Sequence, residues 1–321
     1  MKKLRLLLIY LLGFGFFSCT PKDKEPITIG LLDGPSVVSF IHMMTDSVKV
    51  EGRPLKFIVR SEPLQLQALM MQEKLDFAIL PTVMAANLYN KGINYQVLGI
   101  PIWGTLYLLS NEPQTKELED LSRQTVHVFG QGATADVLLR EMLHQEKIND
   151  VRTDYSYVSN SEIARAILYK NIQHAILSEP MVTELLQTDS SIHIIRKLSC
   201  EEIINDTTTN IFAQTSFLAN HNTIKNLPDV TRQIVSLYAQ SCELAMNELD
   251  STAAKLVKNG FYSDFNLARQ SIPRCNIQYV PAQEIKSEIM YYLKIFYTFE
   301  PRSVGGKMPD PGFIATIPAS K

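Results

Sequence analysis

Residues 126–143, VHVFGQGATADVLLREML, run from a strand pattern through a glycine-rich turn into a helix pattern. Residues 27–44, ITIGLLDGPSVVSFIHMM, follow the same plan. Taken alone, Gly130, Gly132 and Ala135 match the G-x-G-x-x-[GA] spacing of a dinucleotide-binding turn. The second copy changes that reading. In each turn a glycine precedes a hydroxyl residue by two places, Gly34 with Ser36 and Gly132 with Thr134, at an offset of 98.

The correspondence continues along the chain. A second strand and helix are read in KFIVRSEPLQLQALM (56–70) and in DYSYVSNSEIARAIL (154–168), where Ser61 and Ser159 stand before the helices as expected caps. A third unit is read in LDFAILPTVMAANLYNKG (75–92) and IQHAILSEPMVTELLQT (172–188), whose shared Ala-Ile-Leu triplets are short buried strands leading into proline-containing turns. Strands alternating with helices, twice over, predict an α/β chain of two doubly wound lobes.

TLYLLS (105–110) is expected to cross from the first lobe to the second, and residues 208–216 to cross back, so two extended crossings form a hinge. Lobe one is then 27–106 plus 212–300, lobe two is 107–211, and 301–321 is a C-terminal tail. The stretch after 218 reads as mostly helical, with segments at 228–249, 251–258, 264–272 and 281–299.

The N-terminus carries a different signal. A basic MKKLR is followed by the twelve apolar residues LLLIYLLGFGFF, then Ser18 and Cys19. That run is too short to span a bilayer and fits the apolar region of an export signal. Cys19 resembles the acceptor of a bacterial lipoprotein signal, with Phe16 where leucine is usual, so residues 1–19 read as signal plus lipidation site. Residues 20–26, TPKDKEP, read as a tether. The expected location is outside the cytoplasm, on the bacterial cell envelope.

In open α/β sheets ligands bind beyond the carboxyl ends of the strands, which selects the turns of both lobes. Lobe one offers Asp33, Gly34, Pro35, Ser36, Pro81 and Thr82, with Trp103 and Gly104 before the first crossing. Lobe two offers Gly132, Ala133, Thr134 and Glu179, and Asn210 lies on the return crossing. Backbone N–H groups at a helix start hold an oxyanion, while carboxylates at Asp33 and Glu179 would favour an amine. Capping is the alternative use of these groups: Thr134 or Asp136 can cap the second helix start, and Glu179 its own helix.

Several classes are disfavoured. A net charge of −2, from 31 basic and 33 acidic residues without long like-charge runs, argues against nucleic acid as a partner. No G-x-S-x-G, H-E-x-x-H or C-x-x-C motif occurs, and His42, His127, His144, His174, His193 and His221 show no i, i+4 ligand pair, so neither catalysis, metal nor cofactor is expected. Cys200, Cys242 and Cys275 allow at most one disulfide and suit buried apolar positions.

DFAILPTVMAANLYNKG, GQGATADVLLREML, AILSEPMVTELL and the terminal PRSVGGKMPDPGF (301–313) resemble blocks of the substrate-binding lipoproteins of ABC importers, of the nitrate, sulfonate, taurine and thiamine-precursor type. The resemblance implies the type II periplasmic-binding fold, a monomer that captures a small solute between its lobes, and an ABC permease and ATPase as partners. An amine-bearing heterocycle or an amino-sulfonate is the solute class that Asp33 and Glu179 favour. Two readings compete: a lyase or dehydratase using the same cleft, and a ligand sensor.

Overall fold

The computed structural model describes residues 24–46, 48–199, 201–204, 207–210 and 212–319. The signal segment, Cys19 and Cys200 lie outside them, as does the side chain of Asn210.

Fourteen strands are found among the described residues: β1 (Ile27–Leu32), β2 (Lys49–Val50), β3 (Arg53–Arg60), β4 (Phe77–Pro81), β5 (Tyr95–Ile102), β6 (Leu106–Ser110), β7 (Thr125–His127), β8 (Arg152–Asp154), β9 (His174–Ser178), β10 (His193–Lys197), β11 (Glu201–Ile204), β12 (Thr207–Asn210), β13 (Thr215–Asn220) and β14 (Ile277–Pro281). Eleven α-helices accompany them: α1 (Pro35–Thr45), α2 (Pro63–Met71), α3 (Thr82–Asn90), α4 (Thr134–Gln145), α5 (Asn160–Leu168), α6 (Met181–Thr188), α7 (His221–Asn226), α8 (Pro228–Asn247), α9 (Leu249–Lys258), α10 (Phe265–Ser271) and α11 (Lys286–Phe299).

The strands form two large sheets, ordered β14-β5-β13-β4-β1-β3-β2 and β10-β6-β9-β7-β8. The internal repeat is visible in that order. β4-β1-β3 and β9-β7-β8 are parallel triplets with the first strand of each unit in the middle. Beside each triplet lies an antiparallel strand that has just crossed from the other lobe, β13 on β4 and β6 on β9. The α/β architecture of two doubly wound lobes joined by two crossings is therefore as expected.

Burial explains why these segments are strands. Phe77, Ala78, Ile79 and Leu80 are all buried, as a parallel strand covered on both faces requires. On one side of the first sheet Phe40 stacks on Tyr238 with ring centroids 3.8 Å apart, fixing α1 on α8. The other side continues through Phe212, Tyr292 and Phe296 into Val126, Leu138 and Ile176, so one apolar core runs under the hinge into lobe two.

The local signals hold unevenly. Ser159 Oγ accepts from the Glu162 N–H at the start of α5, whereas Glu62 rather than Ser61 occupies the cap position of α2. The closing section contains a strand that its helical reading missed: β14 pairs with β5, and its short IQYVP run is overshadowed by the flanking helices. Cys242 and Cys275 are free, buried thiols, and burial pushes both well above the ordinary thiol range.

The terminal PRSVGGKMPDPGF block straps lobe one. Asn87 Nδ2 donates to the carbonyls of Arg302 and Ser303, and Asn90 Nδ2 to those of Val304 and Lys307. Tyr89 donates to Asp310 at 2.7 Å. Gly305 has φ +84, and a Cβ there would lie 2.9 Å from that of Asn90, so this turn requires glycine.

Candidate functional site

The carboxyl ends of β1 and β9 meet between the lobes. Gly34, at φ +85, turns the chain into α1, with Pro35 in the first helical turn. A Cβ on Gly34 would come within 3.7 Å of the Glu179 carbonyl and of Pro180, so the first turn of lobe one faces the third turn of lobe two. Asp33 is exposed beside it and accepts from the Gly34 N–H at 2.8 Å; Ser36 is buried.

Glu179 is buried and committed to its own helix. Its carboxylate accepts from the Thr183 hydroxyl at 2.9 Å and from the Thr183 N–H at 3.3 Å. Arg274, from lobe one, reaches across to donate to Thr183 Oγ1 at 3.0 Å, with its Nε 3.9 Å from Glu179 Oε1. Burial pushes the carboxyl up to about 7, against the Thr183 bonds and the Arg274 charge, which favour ionisation. Pro180 rather than Glu179 occupies the cap position of α6; Glu179 binds Thr183 in the first turn and bridges the lobes, and its side chain is not presented as a free acceptor for an amine.

The glycine loop of lobe two has a different neighbour. Gly132 lies against Glu300 at the end of α11, whose Cγ would be 3.0 Å from an added Cβ. The Gly132 N–H donates to Asp136 Oδ2 at 2.7 Å, and the same buried carboxylate accepts from Arg140 and from the Tyr155 hydroxyl. The capping alternative therefore holds for this donor. Ala133 occupies the cap position without a side-chain bond, and Thr134 is the first, partly buried residue of α4. Arg140 sits over the Phe299 ring at 5.7 Å, making a second contact between lobes.

The crossings are tied to each other. Gln214 on the return crossing accepts from the Thr105 N–H at 2.7 Å and donates to Thr105 Oγ1 at 3.0 Å. Thr105 Oγ1 in turn lies 3.0 Å from Ser178 Oγ at the end of β9. Trp103 is partly buried and its indole N–H donates to the Gln278 carbonyl at 2.7 Å. Gly104 at φ +110 lies against the Phe212 ring, and its carbonyl accepts from Asn276 Nδ2 at 2.5 Å. Pro81 ends β4, and the fully buried Thr82 bonds inward to Ser216 and Gln214.

Gly34 and Glu179 are thus brought together, Trp103 and Gly104 gather at the crossings, and Gly132 lies against Glu300, the residue that ends α11. Sequence reasoning missed Thr105, Gln214, Arg274 and Asn276. Two outer grooves, of about 320 and 300 Å³, lie beside α3 with the tail and beside α5; none of the expected residues lines either. Among the described residues no group of three or more His, Cys, Asp or Glu could hold a metal ion, and no helix is long and apolar enough to cross a membrane.

Comparison with solved structures decides the family. An ABC transporter structure from Parabacteroides distasonis is 31% identical, with a TM-score of 0.79, covering 91% of this chain and 99% of its own. The chain belongs to that ABC transporter family. The periplasmic aliphatic sulphonate binding protein SsuA of Escherichia coli matches this ABC transporter protein with a TM-score of 0.73 at 15% identity, over 93% of this chain and 94% of its own. The alkanesulfonate-binding protein SsuA of Xanthomonas axonopodis pv. citri, bound to MOPS, matches at 0.67 and 14%, over 90% and 96%. At those identities the likeness establishes the fold, the type II periplasmic-binding architecture. Neither a protein-family model nor a curated protein sequence matches this ABC transporter protein.

Proposed function

We propose that this chain is the solute-binding component of an ABC importer, exported and anchored to the cell envelope through a lipid on Cys19. The observation that carries the reading is the meeting of two repeated lobes at the carboxyl ends of β1 and β9, with Gly34 against Glu179–Pro180 and both crossings knotted through Thr105 and Gln214. Opening at those crossings exposes the turns, and closure on a solute restores the contacts.

The solute class is an amino-sulfonate. Helix starts at α1 and α3 suit an oxyanion, and Asp33 is the exposed carboxylate left to meet an amine once Glu179 is committed to Thr183. MOPS, held by one sulfonate-binding relative of the fold, carries a sulfonate and a ring amine together.

Isothermal titration with taurine and longer amino-sulfonates tests this, alongside native mass spectrometry of protein purified from its host. Saturable one-to-one binding without turnover is expected. Conversion of the bound compound by the protein alone would establish the enzyme reading instead.

A further inference from the structure

We propose that the amino ends of the lobe-one strands form a membrane-facing surface that lies against anionic lipid headgroups and turns the solute cleft outward in the resting state. The inference rests on the lipid anchor at Cys19 and adds the orientation that this anchor imposes.

Three observations carry it. The chain enters the fold clasped to the β2–β3 hairpin: Lys24 Nζ donates to the Glu51 carbonyl at 2.9 Å, and Arg53 Nη1 to the Glu25 carbonyl at 3.0 Å. From Cys19 to Lys24 there are five Cα steps, which span at most about 17 Å when fully extended. A lipid on Cys19 therefore holds the clasp close to the bilayer.

The clasp lies at the amino end of β1, whereas Gly34 and the cleft lie beyond its carboxyl end, one strand length of about 20 Å away. Around the clasp, Lys24, Lys49, Arg53, Lys56 and Lys74 outnumber Glu25, Glu51, Glu73 and Asp76, the last of which accepts from Thr28 at the amino end of β1, in a chain whose net charge is −2. A basic surplus beside a lipid anchor is drawn to an anionic surface, each cation contributing about 1 kcal/mol. Delivery of solute to a permease in the same membrane then requires the molecule to turn over, and release of the clasp lengthens the tether to about 28 Å.

The test places a donor dye at either end of one strand. Glu51→Cys and Glu62→Cys are exposed positions flanking β3, whose eight residues separate them by about 25 Å. With Cys200→Ser in the background, the buried Cys242 and Cys275 leave the new thiol as the labelled one. The full-length lipidated protein is reconstituted in vesicles of phosphatidylcholine and phosphatidylglycerol at three to one, carrying a headgroup acceptor dye.

Energy transfer several-fold stronger from position 51 than from 62 is expected, with the contrast collapsing in Arg53→Ala. Equal transfer from both positions, or stronger transfer from 62, in protein whose N-terminal peptide carries acyl mass overturns the orientation and leaves the anchor intact. An unchanged contrast in Arg53→Ala overturns the role of the clasp. Absence of acyl mass on Cys19 overturns the anchor and the orientation with it.

Discussion

Replacing Glu179 with glutamine should change the pH dependence of stability in a defined direction. Burial raises this carboxyl from 4.5 to about 7 in the folded chain. Below the lower value it is neutral in folded and unfolded chains alike; above the upper value it is charged in both. Folding therefore becomes less favourable as pH rises through this interval, by up to about 3 kcal/mol at roughly 1.4 kcal/mol per pH unit. The Glu179 side chain is fully buried, so its penalty is unscreened, but Arg274 is about a third exposed (36%), and its attraction is correspondingly weak.

Glutamine keeps the shape and an acceptor for Thr183 and never ionises. Urea denaturation of both proteins at about pH 5 and pH 8.5 should give similar stability at the lower pH and a glutamine variant more stable by about 2 kcal/mol at the higher. A variant less stable than the parent by the same amount at both pH values would refute the reasoning, since Glu179 would then act through its charge on Arg274 rather than against its burial.

Asp136→Ala should cost about 3 kcal/mol in the same denaturation assay, because it strands the Gly132 N–H and the buried end of Tyr155 as well as Arg140. Gly104→Ala places a Cβ 2.7 Å from the Phe212 ring at a φ of +110, and a loss of about 2 kcal/mol with weakened solute affinity is expected by calorimetry. Asn90→Ala removes both carbonyl contacts to the tail and should lower stability by about 1–2 kcal/mol without altering solute affinity. Trp103 is the single tryptophan and sits at the crossing, so its emission should change saturably as solute holds the lobes closed; calorimetric binding with a silent emission spectrum would contradict that.

The fold was legible because its repeat is local. Each strand, turn and helix of the two units occupies a short window with its own periodicity, and the near-constant offset between windows made the two sheets readable. The contacts that tie the crossings to each other and reach from one lobe to the other have no such window. Asn276 bonds to Gly104 across 172 residues, Gln214 to Thr105 across 109 and Arg274 to Thr183 across 91. No periodicity links partners so far apart. The terminal block gave an intermediate case. Its glycines and prolines marked a fixed conformation, and the receiving pair, Asn87 and Asn90, stands at helical i, i+3 spacing, yet nothing in either stretch names the other.

The glycine loop shows why a motif and its use separate. G-x-G-x-x-[GA] states that the backbone turns tightly into a helix, and Gly130 and Gly132 do take positive φ. What the freed N–H groups bind is decided by the surroundings. Asp136, one helical turn on, captures the Gly132 donor and is itself locked by Arg140 and Tyr155. With that donor taken, an anion in this protein must find its partners at other helix starts. At lobe one, Gly34 uses its N–H on Asp33, an exposed residue that has no comparable lock. A solute entering the cleft can displace Asp33 at far less cost than Asp136, so the lobe-one turn is the one of the two twins free to respond to it.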